Sequence, residues 1–260
     1  MVLAVLVLGA CSDDGGDQAT PPPEGTSTTE AAVLDVLVTN DDGYDAPGID
    51  ALVEAVRAEP DVRVEVVAPA QNSSGTGGRT TTGEVATREV RTAGGYEATA
   101  VEGYPADAVN VALNALDLHP DVVLSGVNQG QNLGRLTEVS GTVGAARAAA
   151  AGGVPALAVS AGLADAPDYA TAVEEALAWV RAARRDLVEA RAPVTVTNLN
   201  VPTCTAGEVR DTVEVPLATD PGEEARTAAD VRCTSTLADP PDDVDAFNNG
   251  FATLTELAAA

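Results

Sequence analysis

Apolar stretches typical of buried strands alternate with helical segments between residues 33 and 202, and this alternation is the strongest constraint on the fold. Residues 33–39 form the first stretch, and from Pro47 onward apolar residues recur every three or four positions, as on one face of a helix. Further strands are predicted at residues 62–68, 121–126, 155–160 and 192–202, a hairpin from 84–91 and 95–102, and helices at 106–116, 140–153 and 168–190. This order predicts an α/β fold, a Rossmann-like doubly wound sheet of mostly parallel strands.

The chain divides into four predicted regions. Residues 1–10 are apolar and uncharged, too few to span a bilayer but enough for the core of a signal peptide. They run into Leu-Gly-Ala-Cys, which resembles the lipobox of bacterial lipoproteins, so we expect a lipid anchor on Cys11 and a flexible polar tether at 11–32. The protein is then expected on the extracytoplasmic face of a bacterial cell membrane. Residues 33–202 are the predicted core, and 203–260 an irregular β-containing extension.

The charge of the chain excludes one class of partner. The net charge is −26, and all 14 cationic side chains are arginines that form no basic stripe. A surface of this sign repels nucleic acid, so we predict no nucleic-acid partner.

Three polar clusters follow predicted strands: N-D-D-G at 40–43, N-S-S-G at 72–75 and S-G-V-N at 125–128. In open α/β sheets ligands bind beyond the carboxyl ends of the strands, where these clusters would meet. The clusters offer oxygen atoms but no His or Cys, which favours a hard divalent cation such as Mg²⁺ or Mn²⁺. Such a cation would also balance the adjacent carboxylates of Asp41 and Asp42. For any one cluster, an ordinary turn is the simpler interpretation, because turns use the same residue types.

The segments VTNDDGYDAPGI, VVAPAQNSSG, SGVNQGQNLG, SGTV and PALAVS occur in this order and together resemble the SurE family of survival-protein nucleotidases. The resemblance runs from about residue 33 to 202 and resumes faintly at 242–257. It implies a metal-dependent 5′(3′)-nucleotidase that hydrolyses nucleoside monophosphates and, in some members, short polyphosphate. It also implies a homodimer or homotetramer formed by exchange of C-terminal segments.

The resemblance assigns roles to individual residues. It implies one divalent cation, Mg²⁺ or Mn²⁺, per subunit, held by Asp41, Asp42, Ser74 and Asn128. Asp41 and Asp42 are the expected catalytic residues, and Asp41 either orients or deprotonates water or attacks phosphorus itself. The implied contacts to the phosphate are Asn40, Asn132, Ser140, Gly141 and Thr142. Ser140 also precedes a predicted helix, whose first N–H groups favour an anion.

The chain departs from the family pattern in three places. Residues 103–108 read GYPADA where the family usually has G-T-P-x-D-C, Val139 replaces a Tyr, and Ala148-Ala149 replace a Glu-Gly pair. None of these is an expected metal ligand, so they bear mainly on the choice of substrate. A catalytically degenerate lipoprotein that binds nucleotide or metal without turnover stays open as the alternative.

Two more cysteines follow the predicted core. Cys204 to Arg210 match the C-x5-R pattern of cysteine phosphatases, but the loop contains one Gly and export favours oxidation of the thiol. With Cys11 taken by lipid, a disulfide between Cys204 and Cys233 is the preferred interpretation. The single His, His119, is expected to be an exposed turn residue, so a histidine phosphatase is not supported.

Overall fold

A nine-stranded sheet runs through the protein in the computed structural model, which describes residues 32–219 and 231–258. Its strands are β1 (Leu34–Thr39), β2 (Val62–Pro69), β3 (Thr87–Arg91), β4 (Glu97–Val101), β5 (Val122–Gln129), β6 (Ala156–Ala161), β7 (Val196–Val201), β8 (Arg210–Glu214) and β9 (Phe251–Leu257). They lie in the order β3-β4-β2-β1-β5-β6-β7-β9-β8. The strands from β4 to β7 in this order are parallel, which confirms the predicted α/β fold with a mostly parallel sheet.

The helices cover the sheet on both faces. They are α1 (Pro47–Val56), α2 (Pro105–Asn110), α3 (Gly141–Ala151), α4 (Tyr169–Val188) and the short α5 (Asp243–Asn248). Val36 and Val38 of β1 pack with α1 and α4, whereas Leu37 packs with α2 and α3. This alternation follows from the two-residue side-chain period of a strand that is buried on both faces.

The strand order reverses at β1. β1 pairs in parallel with β2 on one side and with β5 on the other, so that Val38 lies beside Val66 and Leu124. The helix after β1 packs on one face of the sheet, and the helix after β5 packs on the other. A crevice therefore opens between the carboxyl ends of these two strands, where ligands bind in folds of this kind.

Two elements differ from their predicted bounds. The helix predicted at 106–116 is α-helical only over α2 and continues as a π-helical turn, Val111–Ala115. The strand predicted to end at 126 runs to Gln129, with a bulge between Ser125 and Asn128. Gly126 permits the bulge, because its φ is +149° and an added side chain would collide with the carbonyl of Val159.

The described residues after Pro202 add two strands to the same sheet, whereas the sequence predicted only an irregular β-containing extension there. β9 pairs antiparallel with β7, and β8 pairs with β9 at the edge. Beneath them a C-terminal core buries Leu133, Ala218, Val231, Cys233, Val244 and Phe247. Cys204 and Cys233, the partners predicted from the sequence, form a disulfide with their Cα atoms 5.9 Å apart. A role of residues 203–260 in oligomerisation stays a prediction.

The structure does not test the predictions made for the N-terminal region. The signal peptide at 1–10, the lipid-modified Cys11 and all but the last residue of the tether at 11–32 lie outside the described residues. Within the described residues, none of the helices has the length and hydropathy needed to cross a membrane.

Candidate active site

A cleft of about 340 Å³ opens at the carboxyl ends of β1 and β5. Five residues that the sequence singles out contribute to its wall: Asp41, Ser74, Asn128, Asn132 and Ser140. The rest of the wall consists of Gly75, Gln129, Gly130, Gln131, Leu136, Val139 and Leu163. The structure therefore brings residues from four separate parts of the chain to one place.

The acidic loop, residues 40–43, turns the chain away from the end of β1. Asn40 is fully buried, its Nδ2 donates to the Gly43 carbonyl at 2.8 Å, and its Oδ1 accepts from the Gly43 N–H at 3.3 Å. Gly43 has a φ of +108°, which favours glycine. Asn40 thus shapes the loop through its side chain, and its predicted contact with a phosphate stays a prediction.

Asp41 is buried against the start of α3. Its Oδ1 accepts a hydrogen bond of 2.7 Å from the Thr142 hydroxyl. A Cβ added to Gly141 would lie 2.7 Å from the Asp41 Cβ, so only glycine lets the helix approach this closely. Burial raises the pKa of Asp41 from 3.8 to about 6; the charge of Asp42 adds to the rise, and hydrogen bonds from Thr142 oppose it.

Asp42 is half-buried and connects three loops. Its Oδ1 accepts from Asn72 Nδ2 at 2.8 Å and, over a longer distance of 3.4 Å, from the Ser74 hydroxyl. Its Oδ2 accepts from the backbone N–H of Gln129 at 3.2 Å. The two expected ligands Asp42 and Ser74 are therefore neighbours, and the hydrogen bonds of Asn72 and Gln129 to Asp42 were not predicted from the sequence.

Asn128 reaches the cleft because of the bulge in β5. In a regular strand, residues three positions apart such as Ser125 and Asn128 would face opposite sides of the sheet, since successive side chains alternate. With the bulge, Asn128 pairs with Ser160 while Ser125 pairs with Ala158, and both point to the face that α3 covers. The Asn128 Nδ2 donates to the Gly130 carbonyl at 2.5 Å.

The carboxylates of the acidic loop have no cationic partner in the described part of the chain. The ion pairs found there involve neither Asp41 nor Asp42. Among the described residues there is also no cluster of three or more His, Cys, Asp or Glu placed to hold a metal ion. Two carboxylates beside neutral oxygen donors fit a hard divalent cation.

On the other side of the cleft lies a set of neutral side chains that we call the amide network: Asn132, Ser160, Asn198 and Asn200. All four are buried. The Asn132 Nδ2 donates to the Ser160 hydroxyl at 2.9 Å and approaches the Thr142 hydroxyl at 3.5 Å. Because Thr142 also donates to Asp41, the network borders directly on the acidic loop.

The start of α3 brings backbone N–H groups to the same point. Ser140 is the N-cap, and its hydroxyl accepts from the Val143 N–H at 3.1 Å. The N–H groups of the first helical turn have no partner within the helix and attract an anion. Of the five predicted phosphate contacts, Asn132 and Ser140 line the cleft, while Gly141 and Thr142 lie against Asp41.

Asp107 holds the loop that carries Ser74, a role that the sequence did not reveal. Its carboxylate accepts from the Thr81 N–H at 3.0 Å, the Thr81 hydroxyl at 2.7 Å and the Tyr104 N–H at 2.9 Å. The Arg79 guanidinium stacks 4.9 Å from the centre of the Tyr104 ring. The altered segment 103–108 therefore anchors the loop, and the aspartate retained within it was the available signal.

The cysteine-phosphatase alternative is wrong. Cys204 is bonded to Cys233 and has no free thiol. The guanidinium of Arg210 lies over the Phe251 ring and donates to the carbonyls of Asn249 and Leu237. Neither residue is arranged to attack or bind a phosphate.

Comparison with known proteins gives concordant results. The family model described as "Survival protein SurE" matches residues 36–224. A protein of Halobacterium salinarum named "5'-nucleotidase SurE" is 54% identical over 127 residues, which is 48% of this chain and 46% of that protein, so the match spans about half of the relative's length. A protein of the same name from Sorangium cellulosum is 38% identical over 237 residues, 85% of this chain and 88% of the relative. The crystal structure of the SurE protein from Aquifex aeolicus superposes with a TM-score of 0.67 at 29% identity, over 87% of this chain and 94% of that one.

Proposed function

This chain belongs to the SurE family, and we propose that it is a nucleotidase that hydrolyses nucleoside 5′(3′)-monophosphates to nucleoside and phosphate with the aid of a divalent cation. The names of its curated relatives support the reaction. The observation that carries the proposal is the buried Asp41 beside Asp42, without a cationic partner in the described residues and hydrogen-bonded to Thr142 at the start of α3. Short polyphosphate is a further proposed substrate.

We assign the cation to Asp41, Asp42, Ser74 and Asn128, whose side chains all carry oxygen. Mg²⁺ and Mn²⁺ are the candidates, with one ion per subunit. When bound, the ion polarises a phosphoryl oxygen and lowers the pKa of water. Its two positive charges would also balance the carboxylates of Asp41 and Asp42 in a protein with a net charge of −26.

The protein's own groups then hold the phosphate and move the proton. Asn132, Ser140 and the first N–H groups of α3 are neutral donors, so they bind phosphate oxygens without neutralising Asp41 or Asp42. The long contact of 3.5 Å between Asn132 Nδ2 and Thr142 leaves one hydrogen of that amide available to a phosphate oxygen. The hydrogen bond from Thr142 fixes the orientation of the Asp41 carboxylate, which positions or deprotonates the attacking water.

The nucleoside meets an apolar rim at the mouth of the cleft. Leu136, Val139 and Leu163 are 37%, 54% and 48% exposed, and all three line the cleft. Apolar side chains left in water beside polar donors favour a ligand with both a charged and a flat, weakly polar part, as a nucleotide has.

The reaction is tested with a panel of mononucleotides and p-nitrophenyl phosphate. We expect phosphate release with Mg²⁺ or Mn²⁺, none in EDTA, and a preference for nucleotides over the small chromogenic ester. Asp117→Asn is the control for charge, because Asp117 is 89% exposed at the opposite end of the sheet. Binding of nucleotide without any phosphate release would support the degenerate binding protein instead.

Export and membrane attachment are a separate proposal. It rests on the apolar residues 1–10 and the Leu-Gly-Ala-Cys run, which lie outside the described residues. Cys11→Ser should release the protein from the membrane fraction, since firm attachment needs acyl chains. Unchanged partition of the variant would refute the anchor. A dimer or tetramer formed by exchange of C-terminal segments is likewise proposed, and light scattering tests the number of subunits.

A further inference from the structure

Strand β7 carries two buried asparagines that the proposed reaction does not use. Asn198 and Asn200 are fully buried and alternate along the strand, so both side chains point to the face that α3 covers. Asparagine is depleted from strands, and a buried amide costs free energy unless it is hydrogen-bonded. Their position therefore calls for a partner in the protein.

The partner is the backbone of Asn132 in the loop after β5. The Asn132 N–H donates to Asn200 Oδ1 at 2.7 Å. The Asn132 carbonyl accepts from Asn198 Nδ2 at 2.8 Å and from Asn200 Nδ2 at 3.3 Å. Two side chains thus hold the N–H and the C=O of a residue that lies outside any strand.

We call the hydrogen bonds of Asn198 and Asn200 to the Asn132 backbone the clamp. The side chain of Asn132 points from the clamp into the cleft. It lines the cleft and donates to Ser160, while Thr142 beside it donates to Asp41. A displacement of the Asn132 backbone would move this amide relative to the acidic loop. Since a misplacement of about 1 Å can cost a reaction about 100-fold, the clamp has a measurable consequence.

We propose that Asn198 and Asn200 are positioning residues for the hydrolysis: they fix the backbone of Asn132 so that its side-chain amide meets the phosphate oxygens. The proposal rests on the proposed function for its catalytic part. Asn200 makes two of the three bonds and Asn198 makes one, so Asn200 is the more important of the two.

The first test compares substitutions on neighbouring strands. Asn200→Ala should lower kcat about 10- to 100-fold while KM changes less than about threefold, because substrate still binds but the amide is misplaced. Thr253→Ala and Thr255→Ala are matched controls. These buried threonines lie on β9, where they pair with Asn200 and Asn198 of β7. Within the described residues their hydroxyls have no hydrogen-bond partner. They should keep kcat within about twofold.

A double-mutant cycle separates positioning from general damage. If Asn200 acts through Asn132, adding Asn200→Ala to Asn132→Ala should cost less than about threefold in kcat. An equal loss in both backgrounds would overturn the proposal, as would an unchanged kcat in the single variant. If Asn200→Ala does not fold, Asn198→Ala carries the same cycle, because it removes one donor only.

Hydrogen exchange tests the clamp without reference to turnover. The Asn132 amide should exchange at least about tenfold faster in Asn200→Ala than in the wild type, and at the wild-type rate in Thr253→Ala. Equal protection in all three proteins would refute the clamp. Faster exchange in a protein without nucleotidase activity would keep the clamp and reject the proposed function, so the two failures are distinguishable.

Discussion

The acidic loop and the amide network face each other across the cleft and differ in what completes them. Asn132 of the amide network is held by hydrogen bonds from the protein, with Ser160, Asn198 and Asn200, although the Asn198 Oδ1 has no partner among the described residues. The acidic loop brings two carboxylates together, one of them buried, and no described side chain balances them with positive charge. Neutral donors can be preassembled by the chain alone, whereas adjacent carboxylates need a partner from outside.

The largest effect on activity is expected from substitutions in the acidic loop, which needs a cation from outside the chain. Asp41→Asn should lower phosphate release from a nucleoside monophosphate by about 100- to 1,000-fold, because it removes a ligand charge and the group that handles water. Asp42→Asn should act alike. Each variant should fold as well as the wild type when the cation is absent, since one of two repelling charges is gone.

Full activity of Asp41→Asn in EDTA would contradict the claim that the acidic loop, unlike the amide network, needs a cation. The wild type in EDTA should be as inactive as the variant. Asp117→Asn, the exposed control, should retain its activity.

The disulfide belongs to the C-terminal core, which supports the cleft. Its removal separates an effect on stability from an effect on catalysis. Replacing Cys204 and Cys233 by Ser should lower the free energy of unfolding by about 3.6 kcal/mol in the chain-entropy account of a loop of this size. Turnover at 25 °C should be largely retained, because neither sulfur contacts the cleft. Urea denaturation measures the first effect, and a loss of turnover as large as that of Asp41→Asn would contradict the structural role.

A pH titration sharpens the comparison through Asp41 in the cation-free protein. The pKa of Asp41 is raised from 3.8 to about 6 in the folded state. Between these values the unfolded chain has released the proton while the folded protein keeps it, so this residue lowers stability as the pH rises. The loss is complete above about pH 6 and amounts to at most about 3 kcal/mol.

Subtracting the unfolding free energy of Asp41→Asn from that of the wild type isolates this contribution. From pH 4 to 6 the free energy of unfolding of the wild type should fall relative to that of Asp41→Asn, and above pH 6 the difference should stay constant. A difference that does not depend on pH would show that burial does not penalise the carboxylate.

The smallest effect concerns the contact between the two regions. Thr142→Val keeps the shape of the side chain but removes the hydroxyl that donates to Asp41. In the cation-free protein at pH 7 it should lower stability by about 1.5–3 kcal/mol, the usual range for a hydrogen bond to a charged group. In Asp41→Asn the same substitution should cost less, and an equal cost in both backgrounds would contradict the contact.

The sequence was informative where a local pattern determines structure. The apolar runs predicted β1, β2, β6 and β7, and N-D-D-G, N-S-S-G and S-G-V-N at strand ends predicted a shared edge. The bulge at Gly126 was missed, because β5 is buried on both faces and has no alternating pattern that an extra residue would shift. Asn198 and Asn200 were read only as part of a strand, since their partner is 66 to 68 residues away in the chain. Long-range hydrogen bonds of this kind leave no local periodicity.

The most direct test is calorimetric titration of Mn²⁺ into three proteins: the wild type, Asp41→Asn and Asn132→Ala. If the acidic loop is completed by a cation and the amide network by the chain itself, the wild type and Asn132→Ala should bind one Mn²⁺ per subunit with affinities within about threefold, and Asp41→Asn should bind at least about 100-fold more weakly. Equal binding by Asp41→Asn and the wild type, or a loss in Asn132→Ala as large as in Asp41→Asn, would contradict this account.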